Sequence, residues 1–299
     1  MSQLGIVIAV HKGGCEVVCG DEVRELQLLG RHARAELSLA VGDELHFDAE
    51  KSVVLDVLPR RTRLARLRPV AGRRTTESRR EQVIAANVDQ LAIVAAVADP
   101  PFRSGAVDRF LLAARAGGLE ALLVANKIDL LGDAALPEEI EAYRAVLPVF
   151  PVSATQGRGL EPLRQALAGS RTVLAGHSGV GKSSLVNALE PELALATAEV
   201  RERSRKGRHT TTRASWFRLS DAAVVVDTPG VREIATGPVP AELLDEVYPD
   251  VAEHAAGCRF RDCRHDREPD CAVRAAIDAG ELHPGRLSSY RKLREETAR

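Results

Sequence analysis

The chain has 299 residues with a hydrophobic content of 45%, which is ordinary for a globular protein and sufficient for two or three folded units. No run of about 18 or more apolar residues is present, so the sequence predicts no membrane-spanning helix and no membrane partner. The first residues have neither the basic segment nor the cleavage site of an export signal. We therefore expect a cytoplasmic protein, and we expect it to be a monomer.

The formal net charge of -1 hides an uneven distribution of charged residues. Residues 1–59 hold 10 acidic and 5 basic side chains, whereas residues 60–80 hold nine arginines and a single acid, Glu77. Such an arginine run can neutralise the phosphates of a nucleic acid. A solvated linker can have the same composition, so both interpretations stay open.

Residues 3–58 contain short apolar stretches that Gly, Asp and Lys interrupt at close intervals. This pattern predicts a small β-barrel of about five strands. Periodicity does not distinguish an OB-type barrel from an SH3-like barrel. Phe47 is the one aromatic residue in this region, so base stacking on the barrel surface has little support.

From residue 87 the sequence alternates between apolar strand patterns and helical patterns. This alternation predicts an α/β domain with a mainly parallel sheet, helices on both faces and ligand loops at the carboxyl ends of the strands. The final stretch, residues 272–296, is predicted to be helical and basic.

Residues 176–183 read Gly-His-Ser-Gly-Val-Gly-Lys-Ser and lie between a predicted strand and a predicted helix, the context that a phosphate-binding P-loop requires. The glycines allow backbone N–H groups to turn inward around phosphates. Lys182 would bridge the β- and γ-phosphates, and Ser183 would ligate Mg²⁺. The predicted phosphate-binding residues are Gly176, His177, Ser178, Gly179, Val180, Gly181, Lys182, Ser183 and Ser184.

A second motif, Asn126-Lys127-Ile128-Asp129, directly follows a predicted strand. The Asp129 carboxylate can accept two hydrogen bonds from N1–H and the 2-amino group of guanine, a pair that adenine lacks. Asn126 would hold neighbouring loops and reach N7, and the stem of Lys127 would cover the base. Ser153 and Ala154, after the next strand, would offer a backbone N–H to guanine O6. Alone, so short a motif also fits an ordinary loop.

The segment after the P-loop helix carries a possible nucleotide switch. Asp227 ends a predicted strand and would hold Mg²⁺ through water, and the Gly230 N–H would sense the γ-phosphate. Residues 207–213 would form a loop whose threonine joins Mg²⁺ only when triphosphate is present. Thr212 is favoured for this role over Thr211, although a threonine-rich turn can also be purely structural.

Val231 occupies the position after Gly230, where many GTPases carry a glutamine that orients the attacking water. We therefore expect slow intrinsic hydrolysis. His209 is the candidate catalytic residue that a partner would position in place of the glutamine. The alternative interpretation is that His209 is a solvent-exposed loop residue.

Three of the five cysteines lie close together near the C-terminus, which favours metal ligation over disulfides. Three thiolates and one imidazole within 14 residues form the ligand set of a closed, structural zinc site. The predicted zinc ligands are Cys258, Cys263, His265 and Cys271.

In translation-factor-related GTPases the P-loop precedes the other motifs, whereas here it comes after the guanine-specificity motif, so the domain is circularly permuted. Together with Pro-Arg-Arg-Thr-Arg-Leu-Ala-Arg at residues 59–66 and the cysteine spacing, this order resembles the ribosome small-subunit-dependent GTPase family (RsgA, also called YjeQ) over essentially the whole chain. The resemblance implies slow GTP hydrolysis that the small ribosomal subunit stimulates, binding to that subunit and its rRNA, and a role in its late maturation. It also implies one structural Zn²⁺, with Mg²⁺ accompanying GTP.

The predicted fold class is multi-domain, with an N-terminal β-barrel (OB-fold), a central α/β P-loop GTPase domain with circular permutation, and a C-terminal α-helical zinc-binding domain. The predicted units are a barrel at 1–60, an Arg-rich linker at 61–82, the GTPase domain at 83–236 and the zinc domain at 237–299. Two other functions stay open. One is a GTP-dependent RNA-binding checkpoint with little turnover, and the other is a permuted GTPase of large-subunit assembly.

Overall fold

A computed structural model describes residues 2–28, 39–69, 79–191, 215–218, 223–227 and 239–297. Within these ranges, no helix combines the length and the apolar character needed to cross a membrane. The described chain forms a barrel, then a six-stranded sheet flanked by helices, and finally a group of helices around a cysteine cluster.

The N-terminal strands form a closed barrel in the order β1-β2-β3-β5-β4, with β1 also pairing with β4. Its strands are β1 (Ser2–His11), β2 (Gly14–Cys19), β3 (Glu22–Gln27), β4 (Glu44–Asp48) and β5 (Val53–Val57). The contact between β3 and β5 is parallel, and the other pairs are antiparallel. This arrangement is an OB-fold, which decides between the two barrel types that periodicity left open. Phe47 is buried in the barrel core.

The arginine-rich segment contains two antiparallel strands, β6 (Arg63–Pro69) and β7 (Arg79–Ala86). Residues 70–78 between them lie outside the described residues. The segment predicted as a linker is therefore structured over much of its length. The boundaries proposed for the four units stay predictions, because the hairpin connects its neighbours without marking where either one ends.

A buried carboxylate, Asp43, links the barrel to the segment that leads into the β6–β7 hairpin. Asp43 is fully buried and accepts hydrogen bonds of 2.7 and 2.8 Å from the Arg60 guanidinium. The Asn87 side chain accepts a bond from the Arg61 N–H at 2.8 Å and donates one to the Gly42 carbonyl at 3.0 Å. Because a buried carboxylate needs a partner of opposite charge, Asp43 fixes how the barrel meets the following chain.

The central sheet has the order β10-β9-β8-β11-β13-β12 and is parallel except for β12. Its strands are β8 (Gln90–Ala96), β9 (Glu120–Asn126), β10 (Val149–Val152), β11 (Arg171–Ala175), β12 (Ser215–Arg218) and β13 (Val224–Asp227). Successive residues of β8 are buried in two cores on opposite faces, Ile93 in one and Val94 in the other. Strands covered on both faces require continuous apolar sequence, which confirms the predicted α/β architecture.

Within the described residues, the helices that accompany the sheet are α1 (Ser104–Ala116), α2 (Glu138–Glu141), α3 (Leu160–Leu167) and α4 (Lys182–Leu189). The helical pattern around residue 140 is realised as the short α2 followed by a 3₁₀ turn, Ala142–Ala145. This turn holds Tyr143, whose buried hydroxyl donates to Asp108 at 2.7 Å. The buried contacts of Tyr143 therefore favour a 3₁₀ turn at this point over continuation of the α-helix.

The C-terminal part is helical, as predicted, and contains α5 (Ala241–Val247), α6 (Pro249–Ala255), α7 (Ala272–Asp278) and α8 (Pro284–Thr297). Its buried side chains, such as Val247 and Tyr290, belong to the same apolar cluster as Leu111 of α1. Helices α5 and α8 both pack on α1. The C-terminal helices and one face of the sheet thus share a continuous core.

Because the barrel and the hairpin lie close together at Gly42, we expect two glycine substitutions to lower the free energy of unfolding by different amounts. Gly42 and Gly13 have φ values of +92° and +90°, but a Cβ on Gly42 would lie 1.9 Å from the Ala86 carbonyl oxygen, whereas one on Gly13 would contact nothing within 4 Å. We expect Gly13→Ala to lower the free energy of unfolding by about 1–2 kcal/mol through backbone strain alone. Gly42→Ala should cost about 3 kcal/mol or more, because overpacking adds to that strain.

Urea denaturation followed by circular dichroism measures both losses. Equal losses for Gly42→Ala and Gly13→Ala would show that barrel and hairpin are not held this closely.

Candidate nucleotide and metal sites

Three motifs that are far apart in sequence meet at the carboxyl edge of the parallel sheet. In the strand register, Val152 at the end of β10 pairs with Asn126 at the end of β9, and Ala175 at the end of β11 pairs with Ile93 of β8. The loops that follow β9, β10 and β11 therefore emerge on the same side. The structure brings the predicted guanine motif, Ser153-Ala154 and the P-loop together despite their permuted order.

Asn126 connects these three loops. Its side chain is buried, its Nδ2 donates to the Val180 carbonyl at 2.9 Å, and its Oδ1 accepts from the Ala154 N–H at 3.2 Å. Gly181 must be a glycine here, because its φ is +94° and a Cβ would lie 2.3 Å from Asn126 Nδ2. A buried amide with donor and acceptor both satisfied holds the loops in one arrangement.

Asp129 lies in a short 3₁₀ turn, Ile128–Leu131, directly after Asn126 and Lys127. The Ser153 hydroxyl donates a hydrogen bond to Asp129 Oδ1, and Ser153 is fully buried. Lys127 has a left-handed backbone, with φ of 67°, and its ammonium donates to the Asp99 carbonyl. The carboxylate is thereby held in one orientation before any ligand binds, which lowers the entropic cost of recognition.

The P-loop runs from the end of β11 to the start of α4. The Lys182 ammonium donates to the carbonyls of Gly176 at 2.7 Å and His177 at 2.9 Å. Ser183 and Ser184 are exposed in the first turn of α4. Exposed hydroxyls and backbone N–H groups at a helix amino terminus suit an anion, and the ammonium must turn from the loop carbonyls to reach it.

Of the predicted switch residues, the structure describes the backbone of Asp227. His209, Thr212, Gly230 and Val231 lie outside the described residues. Asp227 ends β13, and its backbone pairs with Leu174 of β11. This register places the end of β13 beside the strand that leads into the P-loop, and the role predicted for Asp227 stays a prediction.

The four predicted metal ligands converge at the C-terminus. The ligand atoms of Cys258, Cys263, His265 and Cys271 all lie within 4.8 Å of one another. The Cys258 and Cys271 sulfurs are 3.9 Å apart, and each lies 3.5 Å from His265 Nδ1. A tetrahedron with Zn–S and Zn–N bonds of about 2.3 and 2.0 Å has edges of about 3.8 and 3.5 Å. The residues present therefore fit a tetrahedral metal ion.

The surroundings of this cluster favour the metal-binding form of two ligands, His265 and Cys258, whereas burial raises the pKa of Cys263 to about 11. Burial and the nearby Arg294 lower the pKa of His265, which favours the neutral imidazole. Burial acts to raise the pKa of Cys258, but hydrogen bonds from the Val273 and Ala272 N–H groups outweigh it and lower this pKa. The thiolate form of Cys258 is thus stabilised by the start of α7.

The loop between the ligands is ordered by one carboxylate. Glu268 accepts backbone N–H bonds from Arg264 at 2.9 Å, Asp266 at 2.8 Å and Arg267 at 3.1 Å. These bonds, with Arg264 first among them, lower the pKa of Glu268 to about 2. These bonds fix the backbone of residues 264–268 within the loop.

The other two cysteines lie in the barrel, away from the cluster. Cys15 is buried, and burial raises the pKa of its thiol to about 12. Such a thiol is a packing residue and not a nucleophile. Cys19 is partly buried on the same strand.

Sequence reasoning missed a buried polar group that consists of Asp108, Tyr143, Tyr248, Asp250 and Arg286. Asp108 of α1 accepts hydrogen bonds from both tyrosine hydroxyls and lies 3.3 Å from the Arg286 guanidinium. One signal was available: Asp108 stands among Val107, Phe110 and Leu111 on the apolar face of the helix. A carboxylate in that position requires a buried partner.

Comparisons with known proteins agree with this geometry. The model of a family described as RsgA GTPase matches residues 57–237. A relative from Gemmatimonas aurantiaca, named small ribosomal subunit biogenesis GTPase RsgA, is 42% identical over 99% of this chain and 97% of its own length. A relative of the same name from Chlorobaculum tepidum is 40% identical over 98% of each chain.

Two solved structures are similar to the whole chain. YjeQ from Thermotoga maritima has a TM-score of 0.73 and 30% identity, covering 100% of this chain and 99% of that chain. YloQ, described as a circularly permuted GTPase, has a TM-score of 0.65 and 25% identity, covering 100% and 96%.

The cluster predicts that loss of one ligand releases the metal. Cys263→Ser should weaken metal binding by more than about 100-fold, because even residues that only support metal ligands contribute about 10- to 100-fold. Cys19→Ser, at a partly buried cysteine outside the cluster, should leave metal binding unchanged. Metal content per chain after dialysis, with Co²⁺–thiolate absorption as a second measurement, reports the difference. Equal metal retention by the two variants would contradict the site.

Proposed function

Because the chain belongs to the RsgA GTPase family, and is therefore a GTPase, we propose that it binds GTP at the carboxyl edge of its sheet and assists late maturation of the small ribosomal subunit. The observation that carries this proposal is the convergence of three loops on the buried Asn126 amide. The names of relatives that match nearly the whole chain support the biological role.

In this proposal the guanine base lies beside Asp129, whose carboxylate accepts from N1–H and the 2-amino group. Ser153 orients that carboxylate through its hydroxyl, and the stem of Lys127 covers the base. The Ala154 N–H, which lies 3.2 Å from Asn126 Oδ1, is available to guanine O6 through a shared hydrogen bond. Adenine would leave the Asp129 carboxylate without these two donors, so GTP is selected.

The phosphates lie over residues 176–184. The Lys182 ammonium leaves the P-loop carbonyls for the β- and γ-phosphates, and Ser183, exposed in the first turn of α4, ligates Mg²⁺. By the sequence motifs, Thr212 and Asp227 would also hold this ion, and Gly230 would sense the γ-phosphate. When bound, Mg²⁺ neutralises charge that develops on the phosphate oxygens.

Turnover is proposed to be slow until the small subunit positions a catalytic group. Val231 stands where a water-orienting glutamine is common, so the isolated chain lacks that side chain at this position. His209 is the proposed replacement, acting on the attacking water when the partner orders its surroundings. Hydrolysis then favours release from the subunit.

The Cys₃His cluster is proposed to hold one structural Zn²⁺. The three cysteines and His265 complete a tetrahedron without a spare position, so the ion would stabilise the loop between α6 and α7 and perform no chemistry. A location in the cytoplasm, where thiols stay reduced, suits this ligand set.

We place part of the rRNA-binding surface on the exposed loop that joins the metal ligands. Arg261, Arg264 and Arg267 are exposed there, and none of them forms an ion pair with another described residue. Phe260 is 41% exposed beside them, with the Arg259 guanidinium 5.5 Å from its ring centre. Exposed guanidinium groups around an exposed ring suit phosphates and unstacked bases. The chain is proposed to act as a monomer.

The base-recognition geometry predicts a change of nucleotide preference. Asp129→Asn should weaken GTP binding by about 100-fold or more, because two hydrogen bonds to a charged acceptor are lost. Xanthosine triphosphate should bind better to this variant than to the original chain, because an amide can donate to its carbonyl at position 2. Asp133→Asn makes the same chemical change at an exposed residue nearby and serves as the control. Direct titration with GTP, xanthosine triphosphate and ATP tests this, and unchanged GTP preference in Asp129→Asn would refute the guanine assignment.

The proposed role predicts nucleotide-dependent binding to the small subunit. The chain should cosediment with purified small subunits more strongly with a non-hydrolysable GTP analogue than with GDP, and with neither form to large subunits. Replacing Arg261 and Arg264 by Ala should weaken this binding and reduce the slope of log affinity against log salt concentration by about 1.5 to 2. The matched control replaces Lys12 and Lys51, which are exposed on the barrel.

Equal sedimentation with GDP and the GTP analogue would contradict release on hydrolysis. If the barrel substitutions changed the salt slope as much as the two arginine substitutions, the metal-binding loop would not be the RNA contact.

A further inference from the structure

Asp108 ties the GTPase domain to the C-terminal helices. Its carboxylate is buried, and it accepts hydrogen bonds from Tyr143 at 2.7 Å and Tyr248 at 2.8 Å. Burial raises the pKa of Asp108, while Arg286, the two tyrosines and the Ser289 hydroxyl act in the opposite direction. Tyr143 comes from the GTPase domain, whereas Tyr248 and Arg286 come from the C-terminal helices.

Arg286 extends this group into the C-terminal part of the chain. Its guanidinium donates two bonds of 2.9 Å to Asp250 and one of 3.0 Å to the Val247 carbonyl, and it lies 4.5 Å from the centre of the Tyr248 ring. Outside the core, Arg109 of α1 donates to Glu296 of α8 at 2.6 and 3.0 Å. A buried group with this many directed bonds has one low-energy arrangement.

The same contacts continue to the metal ligands. The rings of Tyr248 and Tyr290 meet edge to face, with centres 5.4 Å apart, and the Tyr290 ring lies 5.9 Å from the ring of His265. Arg294 of α8 also donates to the Cys263 carbonyl at 3.3 Å. Two of the four metal ligands therefore touch α8 directly.

In the other direction, α1 faces the phosphate loop across a cavity. A cavity of about 250 Å³ separates the first turn of α1 from the P-loop, with Val107 in one wall and Gly176 and Ser178 in the other. Val107 is the residue next to Asp108. The buried Asp108 carboxylate therefore lies one residue away from a side chain that lines this cavity.

We propose that the metal cluster and the nucleotide site are thermodynamically coupled through Tyr290, Tyr248 and Asp108, so that each site's occupancy changes the affinity of the other. The coupling rests on the nucleotide site proposed above. Metal binding orders the loop against Tyr290, Tyr290 holds Tyr248, and Tyr248 holds the α1 carboxylate. Packed side chains and hydrogen bonds of this kind carry energetic coupling between distant sites, and the coupling is reciprocal.

The two tyrosines provide a matched pair of variants. Tyr248→Phe and Tyr143→Phe each remove one buried hydroxyl that donates to one Asp108 oxygen, but only Tyr248 also contacts Tyr290. Both keep the ring that fills the core, so both variants should fold. The measurement is the GDP dissociation constant of the full chain before and after removal of the metal with a chelator.

Metal removal should weaken GDP binding about tenfold in the original chain and in Tyr143→Phe, within the range of ordinary allosteric coupling. In Tyr248→Phe the same treatment should change GDP affinity by about threefold or less. Metal affinity, measured with and without GDP, should shift by the same factor as GDP affinity in each chain.

Equal GDP affinity with and without metal in the original chain would overturn the coupling. Equal reductions in Tyr248→Phe and Tyr143→Phe would overturn the route through Tyr290. A metal-loaded chain that binds no GDP at all would instead overturn the nucleotide-site assignment, and the coupling with it.

Discussion

The carboxyl edge of the sheet, where we propose that GTP binds, depends on one buried amide. Asn126 reaches from the end of β9 to the loops after β10 and β11, and it satisfies both its donor and its acceptor there. A carboxamide in an apolar sheet is costly unless it is paired in this way. The glycine at position 181 and the hydroxyl of Ser153 have roles only because Asn126 and Asp129 occupy fixed places.

The order of the motifs along the chain matters little to such a site, because the carboxyl ends of parallel strands lie at the same edge of the sheet whatever the order of the strands in the sequence. In this sheet β8 and β9 precede the phosphate-loop strand in sequence, yet β11 lies directly beside β8. Permutation alters which segment comes after the nucleotide site along the chain. Here that segment consists of the helices around the Cys₃His group, and they pack on α1, the helix between β8 and β9.

Much of the fold and of the site was predictable from local sequence. Continuous apolar runs predicted the parallel strands, and cysteine spacing predicted side chains that the structure does bring together, because each of these signals lies within a few neighbouring residues. The phosphate-binding role of residues 176–184 follows from glycine spacing and stays a prediction. The OB-type barrel could be distinguished from the SH3-like barrel only by the observed strand order, because both barrel types have the same sequence periodicity. The roles of His209, Thr212, Asp227 and Gly230 stay predictions.

The features that sequence reasoning missed have a common physical cause. Asp108 and Arg286 are 178 positions apart, and Asp43 and Arg60 are 17 apart, so neither pairing has a local pattern. The pairing of β6 with β7 likewise has no signal in the arginine content of the segment, which is also typical of a solvated linker. The composition of a segment indicates how it interacts with water. Its ion pairs and strand pairs depend instead on which distant segment lies beside it in the folded chain.

The attachment of the barrel has a mechanical consequence. Arg171, the first residue of β11, donates to Glu44 of the barrel at 3.0 Å and to the Asn87 carbonyl at 3.2 Å. The barrel is therefore anchored to the amino end of the very strand whose other end opens into the phosphate loop. A force that tilts the barrel would therefore act on the first residue of the five-residue strand β11. A partner that binds the barrel can in this way displace the end of β11 that leads into the phosphate loop.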